Sequence, residues 1–235
     1  MSAGLPLLVT RADPGGARTV ARARAMGLDA HHLPLFAARP LPWRAPDPAG
    51  FDALLLTSAQ AARLGGGELA TLAALPVYAV GAVTAAAAEA AGLHVAAVGD
   101  ADGQQLLDAM TSAKIRRILW LSGRDRSALD PRGAAMVALA CYAVDPVPPP
   151  AEWDRLIARP AVLSVHSARG AARLADLAGA ARGHLALAAI GPTAAAAAGK
   201  GWRDVAVAAR PEDAALLAQA RFLCHKGAQM GSFES

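Results

Sequence analysis

Two similar α/β lobes, each a doubly wound parallel sheet, are predicted by this sequence on three observations. Short apolar runs alternate with alanine-rich helical stretches along nearly the whole chain, an order that parallel sheets with crossover helices produce. The apolar runs are continuous rather than alternating, as expected when helices cover both faces of a sheet. Residues 54–110 and 163–218 also carry one pattern twice. The first copy reads Leu54-Leu-Leu-Thr57-Ser58, then Val77-Tyr78-Ala-Val80-Gly81, and continues to Gln105-Leu-Leu107. The second reads Leu163-Ser-Val-His166-Ser167, then Leu187-Ala-Ala-Ile190-Gly191, and continues to Ala215-Leu-Leu217. A spacing near 110 residues is too long for a solenoid repeat and suits a small domain.

In chain order the predicted strands are 6–10, 30–35, 53–57, 76–80, 94–98, 117–121, 140–144, 161–165, 186–190 and 204–208. Nearly every one is followed by a turn residue and a helix pattern. The opening run Leu7-Leu-Val-Thr10-Arg11, a helical stretch and Leu33-Pro34 resemble Leu119-Trp-Leu-Ser122-Gly-Arg124, a second helical stretch and Asp145-Pro146. The second copy of the repeat lacks this strand–helix–strand unit at its own end, and the N-terminus supplies it. One lobe is therefore assigned to 1–36 plus 146–235, and the other to 37–145. The proline-rich runs from Phe36 to Pro42 and from Asp145 to Pro150 are the crossings between them, extended and stiff. Five strands per lobe fit a small flavodoxin-like sheet. Two such lobes leave a cleft, where ligands usually sit. After Ala220 the alanine-rich style ends, and a frayed terminus is expected.

Composition narrows the function. Hydrophobic residues make up 54% and mean hydropathy is +0.31. Yet no stretch of about 18 apolar residues is clear of charges or breakers, which argues against a membrane span. No basic start with a long apolar core precedes Leu5, against a signal peptide. Cys141 and Cys224 are too few for a disulfide framework and read as reduced, cytoplasmic thiols. Net charge is +4, with only three lysines among the basic residues. That balance mildly favours an acidic ligand. Aromatics at 4%, with no basic arm interleaving them, argue against nucleic-acid binding.

Small hydroxyls and glycines recur at the carboxyl ends of the predicted strands, where parallel sheets gather ligands. They are Thr10-Arg11, Thr57-Ser58, Gly81 through Thr84, Ser122-Gly-Arg124, His166-Ser167 and Gly191-Pro-Thr193. Each hydroxyl has two readings. It caps the following helix, or it faces the cleft with the first-turn amides and holds a carboxylate or phosphate. Conventional catalytic motifs are missing: there is no P-loop, no G-x-G-x-x-G after a strand and no G-x-S-x-G elbow. His31 and His32 are adjacent on a strand and point to opposite faces, which disfavours a metal pair. His166 has no evident partner and reads as a rim histidine. Cys141 reads as a small buried hydrophobe. Tyr142, on the last strand before a crossing, either packs in the sheet or reaches the cleft. Tyr78 lies mid-strand and reads as core.

Taken together, the order and spacing of these landmarks resemble uroporphyrinogen-III synthase over nearly the whole chain, from Leu7 to about Leu217. The landmarks are Thr10-Arg11, the run from Phe51-Asp52 to Thr57-Ser58, Val77-Tyr78-Ala-Val80-Gly81 with Thr84-Ala85, Tyr142, Ser167, and Ile190-Gly191-Pro192. The resemblance implies two similar α/β lobes joined by two extended linkers, the outer lobe discontinuous. It implies a carboxylate-rich substrate, the linear tetrapyrrole hydroxymethylbilane. This is closed to uroporphyrinogen III with loss of water and inversion of the last pyrrole. No metal or organic cofactor is implied. Carried over residue by residue, the resemblance implies that Tyr142 assists departure of the hydroxyl. Thr84 would be a cleft hydroxyl supporting substrate or leaving group. Arg11, Ser58, Ser167 and Thr193 would hold propionates and acetates, alongside backbone N–H groups at Gly81 and Gly191. In Gly191-Pro-Thr193 the threonine stands one residue earlier than in Gly81-Ala-Val-Thr84. A monomeric cytoplasmic enzyme is expected, and its unstable substrate makes direct hand-off from hydroxymethylbilane synthase attractive. The competing expectation is a two-lobed protein that closes on a small anion without chemistry, supported by the scarcity of catalytic side chains.

Overall fold

In a computed structural model, which describes residues 4–100 and 102–230, the chain is mixed α/β with parallel sheets. From the amino terminus, β1 (Leu7–Val9), α1 (Gly15–Ala25), β2 (Ala30–His32) and β3 (Phe36–Pro40) precede β4 (Ala53–Leu56), α2 (Ala59–Leu64), β5 (Val77–Val80) and α3 (Ala82–Ala90). Next come β6 (Val95–Gly99), α4 (Gly103–Ser112), β7 (Arg117–Gly123), β8 (Ala135–Pro146), α5 (Trp153–Ile157) and β9 (Val162–Val165). The last elements are α6 (Ala168–Ala178), β10 (Ala186–Ala189), α7 (Pro192–Ala197), β11 (Asp204–Val207) and α8 (Asp213–Met230). The chain divides into two compact units, Met1–Ala37 with Pro146–Ser235, and Ala38–Asp145.

The discontinuous unit carries a parallel sheet in the order β11-β10-β9-β1-β2. Its strands are apolar on both sides because both sides are covered. Leu8, Leu163, Leu187 and Ala189 pack with α5, α6 and α7, while Leu7, Val9, Val162 and Ala188 pack with α1 and α8. α6 starts where the Ser167 hydroxyl accepts from the Gly170 N–H at 3.0 Å, satisfying a donor that the first turn leaves unpaired.

The continuous unit has the order β3-β8-β7-β4-β5-β6, parallel from β8 to β6. Leu54, Leu56, Leu119 and Leu121 face α2 and α3, and Leu55, Ile118 and Trp120 face α4. At the amino edge, Asp52 clamps β4 to β7. Its carboxylate accepts from the Arg117 guanidinium at 2.6 Å and from the Arg117 and Arg116 N–H groups at 2.9 and 3.1 Å. The Arg117 guanidinium first, then those N–H groups, hold the carboxyl down at about 2. Asp52 is therefore a structural staple at the end of the sheet opposite the strand-end hydroxyls.

Three elements depart from the sequence reading. No helix joins β7 to β8: residues 124–134 cross as irregular chain, and β8 begins at Ala135 instead of spanning 140–144. Pro131, followed by the left-handed Arg132 and Gly133 at φ 52° and 79°, cannot sit in a helix interior. Second, Phe36–Pro40 is an edge strand where a bare crossing was expected, so this sheet has six strands, not five. An edge tolerates Pro40 because it leaves N–H groups unpaired anyway. Third, the chain after Ala220 does not fray, and α8 runs on to Met230. Leu216, Leu217, Ala220, Leu223 and Cys224 form a buried stripe at helical spacing that ties it to the sheet. Cys141 and Cys224 are unbridged and buried, and burial pushes their thiols up to about 11 and about 12, far from a reactive thiolate.

Candidate functional site

Strand order decides which of the sequence-predicted residues are neighbours. Along the carboxyl edge of Ala38–Asp145 stand Tyr142 on β8, Ser122 and Gly123 on β7, Thr57 and Ser58 after β4, and Gly81 after β5. Ser58 is extended, and its hydroxyl accepts from the Gln60 N–H at 3.2 Å to cap α2. Thr57 Oγ1 accepts the Trp120 indole N–H at 3.1 Å. Gly81 leads into α3 at φ 77° and ψ 151°, a conformation nearly reserved for glycine. Thr84, in the first turn of α3, is 5% exposed, and its hydroxyl makes no hydrogen bond among the described residues.

Tyr142 is half-buried and packs, like its neighbour Cys141, on the α2/α3 side of the sheet. Two successive residues share that side because the β7–β8 register slips between Ser122 and Gly123 and passes over Cys141. A bulge of this kind re-aims a side chain that strict alternation would send to the other face. Tyr142 and the helix carrying Thr84 therefore lie on one face, at one edge. Their columns are three strand spacings apart, about 14 Å at ~4.8 Å each. At that separation the two side chains do not converge on one atom.

In the discontinuous unit, Gly191 to Thr193 after β10, His166-Ser167 after β9 and Arg11 after β1 fall in consecutive columns. Ser167 and Thr193 are exposed, and α7 has no side-chain cap. Gly191 is extended, and a Cβ there would meet nothing within 4 Å. The two repeat glycines thus differ in kind. Gly81→Ala is expected to cost about 1–3 kcal/mol through its backbone, and Gly191→Ala to stay within about 0.5 kcal/mol. Paired urea unfolding curves check both.

Arg11 and His166 meet a residue that the sequence reading missed. Asp213, at the start of α8, accepts from Thr19 Oγ1 at 2.7 Å, His166 Nε2 at 3.0 Å and Arg22 Nη1 at 2.9 Å, with Arg11 Nη1 at 3.7 Å. The His166 and Asp213 side chains are 11% and 12% exposed. Burial lowers the pKa of His166, against the upward pull of the Asp213 hydrogen bond. Burial would raise Asp213, but the hydrogen bonds from Thr19, His166 and Arg22 prevail, and its pKa is lowered. With Asp213 a carboxylate, Nε2 carries the imidazole proton, and Nδ1 is buried without a hydrogen-bond partner among the described residues. Arg11 lies against Gly15, where a Cβ would come within 2.4 Å of its Nε. Burial lowers its pKa too, opposed by Asp213.

An acidic residue in a first helical turn was the one signal for Asp213. Its partners His166 and Thr19 stand 47 and 194 residues away, beyond any local pattern. His31 and His32 go to separate partners, Nε2 of the one 3.1 Å from Asp29 and Nε2 of the other 2.9 Å from the Arg11 carbonyl. Among the described residues no group of three or more His, Cys, Asp or Glu is placed to hold a metal, and no helix is long and apolar enough to cross a membrane.

A family model described as "Uroporphyrinogen-III synthase HemD" matches residues 17–218. Among solved structures, uroporphyrinogen-III synthetase from Helicobacter pylori 26695 is similar over 93% of this chain and 99% of its own, at 18% identity and a TM-score of 0.67. Uroporphyrinogen III synthase from Thermus thermophilus aligns over 97% of this chain and 99% of its own, at 20% identity and a TM-score of 0.41. No curated protein matches the chain. At 18% identity the Helicobacter pylori match speaks to the fold alone. The family match spans most of the sequence and goes further: this chain belongs to the uroporphyrinogen-III synthase family.

Proposed function

We infer that this chain, a cyclising lyase, closes hydroxymethylbilane to uroporphyrinogen III with inversion of the last pyrrole, and that Tyr142 assists the departing hydroxyl. The family match over 17–218 carries the activity. The role of Tyr142 is supported by its place where the β7–β8 ladder ends, paired with Gly123 at the carboxyl end of β7, half-buried, with no hydrogen bond to its hydroxyl among the described residues. Loss of the hydroxyl leaves a cation spread over an electron-rich pyrrole, so a phenol is acid enough to give the proton that leaves with the oxygen as water. The bond first made at the substituted carbon leaves no hydrogen there to lose, so the old methylene bond at that carbon breaks and returns the cation to its methylene. The unsubstituted carbon of the inverted ring then closes on it, and the proton that this carbon sheds as the pyrrole is restored returns to the phenolate. Choosing the isomer is the harder task, because the substituted carbon of the last ring must meet the cation.

Thr84, three columns from Tyr142, holds substrate in this reading and does not touch the leaving oxygen. Ser58, Ser167, Thr193, Arg11, the amide at Gly191 and the first-turn amides of α3 that follow Gly81 take acetate and propionate arms. The Gly81 N–H itself donates to the Gly99 carbonyl at 2.8 Å and is not among them. Ser58 and Ser167 can do so while capping, since each hydroxyl oxygen accepts from the backbone and keeps its own O–H to donate. The N-termini of α3 and α6 add positive potential. We also read the two units as sibling flavodoxin-like sheets. β2-β1-β9-β10-β11 and, in cyclic chain order, β8-β7-β4-β5-β6 both follow the 2-1-3-4-5 pattern. The enzyme in this reading is a cytoplasmic monomer that works without a cofactor and receives its unstable substrate from hydroxymethylbilane synthase.

The activity is tested by supplying hydroxymethylbilane, oxidising the products and separating the type I and type III porphyrins. Excess type III is expected. Type I alone, at the level of buffer, would leave a protein that binds a small anion without chemistry.

A further inference from the structure

We propose that Gly123 is a positioning residue for Tyr142: the absence of a side chain at Gly123 sets where the phenol hydroxyl stands, and so sets the rate of the dehydrating step. The inference rests on the catalytic reading of Tyr142 above.

Gly123 is buried at the end of β7, between β4 and β8, and its φ lies outside the left-handed region where the chain needs glycine. Backbone conformation therefore does not explain it, in contrast to Gly81. Room does. A Cβ at Gly123 would stand 2.9 Å from Tyr142 Cζ, 3.0 Å from Cε2 and 3.1 Å from the hydroxyl oxygen. The outer half of the phenol thus rests on the Gly123 backbone. Two features press it there. The register slip pairs Gly123 with Tyr142 and turns the ring to the α2/α3 side. The Arg124 N–H then donates to the Tyr142 carbonyl at 2.8 Å and locks the two strands at that point. Asp145, gripped by Arg39 Nε at 2.6 Å and Arg124 Nη2 at 2.5 Å, closes the same end of the ladder.

An added methyl has two ways to be accommodated. The backbone is held to β8 by the Gly123–Tyr142 pairing and the Arg124 N–H bond that follows it, whereas the ring turns about two side-chain torsions. The ring gives way, so the hydroxyl moves while the fold stays. Displacement of a reacting group by about 1 Å costs up to ~100-fold in rate. Gly123→Ala is therefore expected to lower kcat at least about tenfold with KM within about twofold. In a Tyr142→Phe background, where no hydroxyl remains to be misplaced, the same change is expected to lower kcat by less than about twofold.

The closing experiment reads position and rate separately. The chain has two tyrosines, Tyr78 and Tyr142, so 3-fluorotyrosine labelling gives two 19F resonances, assigned by the loss of one in Tyr142→Phe. Gly123→Ala is expected to shift the Tyr142 resonance and leave that of Tyr78 in place, together with the kcat loss that vanishes in the Tyr142→Phe background. An unmoved Tyr142 resonance overturns the positioning role while leaving Tyr142 in the mechanism. A shifted resonance with unchanged kcat overturns the proposal by removing the catalytic reading under it. Should Gly123→Ala fail to fold, the wild-type chain still decides the contact. The Gly123 Hα must carry a ring-current shift that Tyr142→Leu abolishes, and its absence sinks the idea.

Discussion

Replacing Tyr142 with phenylalanine is expected to slow formation of the type III ring at least about tenfold and leave the melting temperature essentially unchanged. A general acid contributes roughly 100- to 10,000-fold. The leaving group here departs from a strongly stabilised cation, so the effect belongs at or below the lower end of that range. Tenfold corresponds to about 1.4 kcal/mol of transition-state stabilisation. Stability is preserved because phenylalanine keeps the ring that packs beside Leu139 and Cys141. The lost hydroxyl has no hydrogen-bond partner among the described residues, so none is left unpaired. The measurement is single-turnover formation of each isomer beside a thermal melt. An unchanged type III rate would take Tyr142 out of the mechanism without touching the activity.

Asp213→Ala carries the largest stability change expected outside the apolar core. It strips one acceptor from Thr19, His166 and Arg22 at once and leaves Arg11 without its nearest anion. Hydrogen bonds to a charged group contribute about 1.5–3 kcal/mol each when shielded. Arg22 is 61% exposed, so its share is small. A total loss of about 2–4 kcal/mol follows, or roughly 5–10 °C in melting temperature for a chain of this size. Asp213→Asn, which keeps one acceptor oxygen, is expected to lose less.

The same cluster makes stability depend on pH with one sign. His166 has a lowered pKa in the fold, so the unfolded chain takes up its proton first as pH falls. Its contribution is complete above the ordinary value of 6.5 and is lost as pH drops through the folded value. Asp213 is also lowered, from 3.8, so its contribution is present above that value and is lost at still lower pH. Acid therefore loosens the discontinuous unit in two stages. Melting between pH 4 and 7 should show the first stage in the wild type and a changed profile in Asp213→Ala.

How much of this is legible in the chain depends on how local the cause is. Strands such as Leu7–Val9 and Val162–Val165 are visible in sequence because both their faces are buried, and an unbroken apolar run is the direct result. Caps at Ser58 and Ser167 are visible because a hydroxyl ahead of a helix has its partner two or three residues on. A helix over 124–134 is suggested only by analogy with the helical stretch between β1 and β2, and Pro131 and Gly133 speak against it. The full length of α8 is hidden because its buried stripe passes from alanine to Leu and Cys without changing period.

By itself the sequence determined the α/β class, the parallel sheets, the strand positions to within a few residues for most strands, and the family, through the order of landmarks from Thr10 to Gly191. Each of these follows from periodicity and capping, which act over a few residues and leave their mark in the chain. Only the tertiary structure decided that Asp213 gathers Thr19, Arg22 and His166. It alone decided that a slipped register brings Tyr142 onto Gly123, and that three strand columns separate Tyr142 from Thr84. These depend on which strand lies beside which and on one skipped residue in a ladder. Such pairing is chosen by the packing of the whole sheet, so no window of sequence holds it.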